Sequence, residues 1–132
     1  LGVSRALVVW GKDGMDEISL GAATLVGELR DNEVREYEIH PEDFGLPMAA
    51  SRNLRVDDPR HSRSVLLDVL DGKAGTASDI VALNAGAALY VCGVCPSIDD
   101  GVVLAARTIA SGAARRKLNA FIAVTRELGG LS

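Results

Sequence analysis

The chain has 132 residues, 48% of them apolar and 24% charged, which is the make-up of one globular domain and excludes a disordered tail. No apolar run reaches the roughly 18–20 residues that a bilayer span needs. Eighteen acids against 14 bases give a net charge of −4, the wrong sign for a protein that grips nucleic acid by its phosphates. Aromatic residues are scarce, so the core has to come from Val, Leu, Ile and Ala. Two cysteines could supply only one bridge, and with no secretory leader in view they predict a reduced, cytoplasmic setting. A first residue of Leu rather than Met predicts that further chain precedes it.

The apolar run Ala6–Trp10, closed by Gly11, predicts a strand buried on both faces. A polar, glycine-bearing loop follows from Lys12 to Glu17. Ile18–Leu20 predicts a second short strand and Thr24–Leu29 a third. Asp31-Asn32 marks a turn, and the alternation from Val34 to Ile39 predicts a half-exposed strand that closes an antiparallel hairpin. About four strands are therefore expected in the first third, with helices afterwards.

Pro41–Phe44 can form a single helical turn with proline first and acids behind it. Asp58-Pro59 starts a helix whose stripe of Val65, Leu66, Val69 and Leu70 stops at Gly72. Ser78–Val91 is small and apolar on every side, so this helix should be covered almost all round. Ser97 to Asp100 resembles a capping box, with Asp in place of the usual Glu or Gln, and predicts the start of the next helix. Gly112 breaks that helix, and Ala113–Leu128 continues as an amphipathic one ended by Gly129-Gly130. No repeat, linker or internal boundary interrupts the chain.

Chemistry has few places to sit. In open α/β sheets ligands collect beyond the carboxyl ends of the strands, where the loop after the first strand lies. Asp16 and Glu17 are adjacent carboxylates in that loop, with Gly14 giving the backbone freedom to aim them. Such oxygens suit Mg²⁺, which takes one or two carboxylates and completes its shell with water and substrate phosphates. Two acids are far from a coordination sphere, and a solvated loop accounts for them as well.

Cys92 and Cys95 have zinc-like spacing but no histidines near them, and they sit at the end of the buried helix rather than at its positive pole. Two small core or loop residues is the favoured account. Arg115-Arg116-Lys117 reads as a solvated basic face, Asn84 as a side chain satisfied by a neighbouring carbonyl, and His61 with Arg63 as surface. No nucleophilic triad, phosphate-cradling glycine loop or dinucleotide fingerprint is present.

Ala6–Ser19 resembles the strand-loop-strand of the anthranilate phosphoribosyltransferase family. The resemblance continues through Glu38–Pro47 and Leu83–Val91, and again through Ala110–Ala114 with Lys117-Leu118. These blocks keep the family's order over nearly the whole chain, and the first two are specific. The resemblance implies that residues 1–132 are the C-terminal portion of a nucleoside phosphorylase/phosphoribosyltransferase type α/β domain. The family's N-terminal helical segment, which makes a homodimer, and its glycine-rich phosphate loop would lie outside it. It also implies that Asp16 and Glu17 are the acidic pair that binds Mg²⁺ beside a diphosphate. Trp10 and Lys12 depart from the residues common in the family and carry no implied role.

The implied substrates are phosphoribosyl diphosphate and anthranilate, in tryptophan biosynthesis, with neither nucleic acid nor membrane as partner. No residue here resembles a general base, so the catalytic contribution expected is positioning and charge neutralisation. Two other readings stand beside it: a non-enzymatic nucleic-acid-binding relative, and a phosphorylase-like enzyme acting on a nucleoside. The acidic charge and the intact Asp16-Glu17 pair oppose the former, and the Pro41–Pro47 block opposes the latter.

Overall fold

A computed structural model describes residues 2–130; Leu1 and residues 131 and 132 lie outside it. Three strands come first: β1 (Arg5–Gly11), β2 (Thr24–Arg30) and β3 (Glu33–Ile39). Four helices follow: α1 (Pro59–Leu70), α2 (Thr76–Val91), α3 (Ile98–Ala110) and α4 (Ala113–Gly129). A 3₁₀ turn at Pro41–Phe44 and another at Ser51–Leu54 join the two halves.

The sheet is antiparallel throughout in the order β1-β2-β3. Asp31 and Asn32 both take positive φ, 53° and 63°, and close the β2–β3 hairpin as a two-residue turn whose twist matches the strands it joins. Because the register pairs Gly11 with Thr24 and Thr24 with Ile39, the loop leaving β1 and the segment leaving β3 emerge at the same end of the sheet.

The expected fourth strand does not form. Ile18, Ser19 and Leu20 are fully buried, as an apolar β-like triplet should be, but their backbone bonds go to side chains and a distant amide instead of to a ladder. The expectation that β1 is buried on both faces also fails within these residues. Its inner face packs on the core, while Val8 is 72% and Trp10 51% exposed on the outer face, which also carries exposed Leu25 and Val34.

The core lies between the inner sheet face and α2, with Ile18, Leu20, Val26, Ile39, Leu83 and Ala87 at its centre. As its composition requires, α2 buries Ile80, Ala82, Leu83, Gly86, Ala87 and Tyr90. Against it runs α3 at backbone contact: a Cβ built on Gly101 would collide with the Gly86 carbonyl, and one on Gly86 would meet the Val102 nitrogen at 2.5 Å. Only the absence of side chains at both positions permits that approach.

The predicted helix starts hold. The Asp58 carboxylate accepts from the amides of Arg60 and His61, and the Ser97 hydroxyl accepts from the Asp100 amide. Gly112 separates α3 from α4, and α4 buries no residue. Its tether is Arg115, whose guanidinium reaches both oxygens of Asp71 at 2.8 and 2.9 Å, so one of the three basic residues read as solvated is structural.

Candidate functional site

Residues 12–23 form the loop between β1 and β2, and the loop is fastened at each step. Its first turn closes where the Gly11 amide donates to the Met15 carbonyl at 2.9 Å and the Gly14 amide to the Gly11 carbonyl at 2.8 Å. Gly14 takes φ = 90°, which a side chain would strain. Asp13 then acts as an internal anchor: one carboxylate oxygen accepts from the Ser19 hydroxyl at 2.8 Å, and the other faces the Met15 amide at 3.4 Å. In turn the Ser19 hydroxyl accepts from the Gly21 amide, and the Ser19 amide donates to Thr24 Oγ1.

The loop is also tied to the helices. Asn84, midway along α2, accepts from the Ile18 amide at 2.9 Å and donates to the Ile18 carbonyl at 2.9 Å and to the Ile80 carbonyl at 3.1 Å. Asn84 is satisfied by neighbouring carbonyls, as the sequence suggests. That its partner would be this loop, 66 residues away, had no signal in the sequence. Asp13, Ser19 and Thr24 were missed for the same reason, since each works through a fold-dependent contact.

Asp16 and Glu17 sit between these two fastenings, side by side and exposed. The Glu17 carboxyl is held above the usual range, first by partial desolvation and then by the negative charge of Asp16. A divalent cation would relieve that repulsion, and two hard oxygens on an anchored loop match what Mg²⁺ accepts from a protein. Among the described residues no cluster of three or more His, Cys, Asp or Glu side chains could hold a metal by itself. The pair therefore fits an ion that obtains its remaining ligands from water and a phosphate-bearing substrate.

The other flagged residues fall elsewhere. Cys95 is buried, Cys92 is exposed, and both are free thiols at the α2–α3 turn. His61 lies at the exposed start of α1, where its Nδ1 accepts from the Asp57 amide at 3.3 Å. Among the described residues no helix is long and apolar enough to cross a membrane.

Sequence comparison gives this arrangement its class: residues 1–115 match the glycosyl transferase family, a/b domain, and the chain belongs to that family. More narrowly, it is 66% identical over 128 residues to the anthranilate phosphoribosyltransferase of Xanthomonas euvesicatoria pv. vesicatoria, covering 97% of this chain and 37% of that protein. It is 64% identical over 128 residues to the enzyme of the same name from Stenotrophomonas maltophilia, again covering 37% of it. Anthranilate phosphoribosyltransferase from Thermus thermophilus superposes with a TM-score of 0.85 at 36% identity, over 92% of this chain and 36% of that one. The Saccharomyces cerevisiae enzyme in complex with PRPP and Mg superposes with a TM-score of 0.80 at 25% identity, over 89% of this chain and 34% of that one. The chain thus spans about 37% of the length of the curated relatives it matches.

Proposed function

We propose that this chain is the C-terminal, Mg²⁺-binding portion of an anthranilate phosphoribosyltransferase acting in the cytoplasm. In that reaction the anthranilate amine attacks the anomeric carbon of phosphoribosyl diphosphate. A C–N bond forms, the anomeric C–O bond breaks, the amine loses a proton and pyrophosphate departs. The observation that carries the reading is the Asp16-Glu17 pair, exposed on an anchored loop beyond the end of β1, in a chain closely similar to enzymes of that name.

Asp16 and Glu17 would hold Mg²⁺. When bound, the ion would supply charge neutralisation for the departing pyrophosphate. Asp13, Ser19 and Asn84 hold the loop so that the two carboxylates stay together, which pre-organises the ion's protein ligands. No general base is assigned to this chain, so the amine proton would pass to residues outside it or to water.

The test is activity against Mg²⁺ concentration in a protein of the relatives' full length. Changing Asp16→Asn together with Glu17→Gln should shift the Mg²⁺ requirement upward and weaken phosphoribosyl diphosphate, with anthranilate affinity affected less. Superimposable curves would make the pair ordinary loop surface. The 132 residues alone should show no turnover and bind Mg²⁺ poorly, because one pair of carboxylates leaves most of its coordination shell to water.

A further inference from the structure

A cleft of about 290 Å³ opens beside the acidic loop, between Asp13, Gly14 and Met15 on one wall and Ser51, Leu54 and Arg55 on the other. It falls just short of the roughly 300–1,000 Å³ of pockets that enclose drug-sized ligands, and so suits a small anion or one end of a larger molecule. Both walls stand at the sheet end that carries Asp16 and Glu17, because the register brings residues 12–23 and the segment after Ile39 out together. They are also fixed to each other. The Ala49 amide donates to the Leu20 carbonyl at 2.8 Å, and Gly21 lies so close beneath that a Cβ there would be 2.9 Å from Asp13 and 3.2 Å from the Ala49 carbonyl.

The two walls differ in what they can still bond. Asp13 already has both oxygens facing donors of its own loop. On the opposite wall Ser51 and Arg55 have no side-chain hydrogen bond, and Arg55 no ion pair, with any described residue. Arg55 and Asp13 line one cleft without meeting, which leaves room for an anion between the guanidinium and the loop. A guanidinium fork matches phosphate oxygens two at a time. Pyrophosphate carries more negative charge than one Mg²⁺ neutralises, so a cation across the cleft from the turn that leads into Asp16 offsets both the excess and the Asp13 charge.

We propose that Arg55, assisted by the Ser51 hydroxyl, binds the terminal phosphate of the diphosphate and of released pyrophosphate, on the cleft wall opposite Asp13, Gly14 and Met15, the turn that leads into Asp16 and Glu17. This rests on the functional reading given above. The test is calorimetric titration of the full-length protein with pyrophosphate in saturating Mg²⁺, and separately with anthranilate. Arg55→Gln should weaken pyrophosphate about tenfold, Arg55→Lys should recover part of that loss, and Ser51→Ala should cost about two- to threefold. Anthranilate affinity and the thermal midpoint should stay unchanged, since Arg55 is exposed. Wild-type affinity in Arg55→Gln, or equal losses for both ligands, would overturn the assignment while leaving the Asp16-Glu17 reading standing. A wild-type protein that binds no pyrophosphate in Mg²⁺ would overturn both.

Discussion

Along one face α2 meets α3, and along another it meets the acidic loop, and the two contacts are built by opposite means. Toward α3 it presents Gly86, which lets the backbones touch and packs Ile80, Leu83 and Ala87 with Ile98 and Val102 into the same core. Toward the loop it presents Asn84, which trades hydrogen bonds with Ile18. The difference follows from what each neighbour must do. Helix α3 can bury its whole inner stripe, so dispersion and water exclusion hold it. A loop whose Asp16 and Glu17 stand exposed buries only its return leg, and polar side chains fasten that leg.

The helix contact should be the more brittle. Gly101→Ala forces a methyl into the Gly86 carbonyl, and two backbones in contact cannot yield as a flexible side chain would. A loss of about 3 kcal/mol or more is expected, at or beyond the upper end of ordinary overpacking. Urea denaturation measures it, and a loss below about 1 kcal/mol would mean that the helices slide apart cheaply.

Asn84→Ala breaks the other contact. It strands the Ile18 amide and carbonyl in a buried setting, and about 2 kcal/mol should go with them. Unlike the glycine change it should act locally, with amide exchange at Ile18 and Ser19 accelerating more than exchange within α3. Uniform acceleration would make Asn84 a general core residue. Asp13→Asn should be milder, about 1 kcal/mol, because an amide oxygen still accepts from Ser19 while the charge is lost.

The same contrast explains what the sequence made legible. Helix α2 could be read because burial on every side writes itself into composition, and the caps at Asp58 and Ser97 because they act within three residues. The hairpin was legible through Asp31-Asn32. Ile18–Leu20 misled because an apolar triplet reports burial and not the partner of its backbone, which here is Asn84, Thr24 and Ala49. On β1, Val8 and Trp10 look like core by type yet have no covering layer among the described residues. The acidic pair was visible as residues. Its anchoring was not, because Asp13–Ser19 and Asn84–Ile18 become neighbours only once the chain has folded.

The smallest expected effect bears on why the loop needs fastening at all. Partial desolvation and the charge of Asp16 make Glu17 bind its proton more tightly in the folded protein than in the unfolded chain. Folding therefore takes up protons in the window just above the ordinary value of 4.5, and stability falls as pH rises through that window. At neutral pH the penalty is fully present, and below the window it is absent. In metal-free protein Glu17→Gln should accordingly be slightly stabilising at pH 7, by no more than about 0.5 kcal/mol for so exposed a site, and neutral near pH 3.5. Thermal midpoints at the two pH values measure it. Adding Mg²⁺ with pyrophosphate should reverse the order, because the wild type, with both carboxylates, then gains the larger ligand stabilisation. A Glu17→Gln protein less stable than wild type at pH 7 without metal would mean that the carboxylate is held by a favourable contact. The loop would then be self-sufficient, and its ties to Asn84 and Asp13 would have no repulsion to restrain.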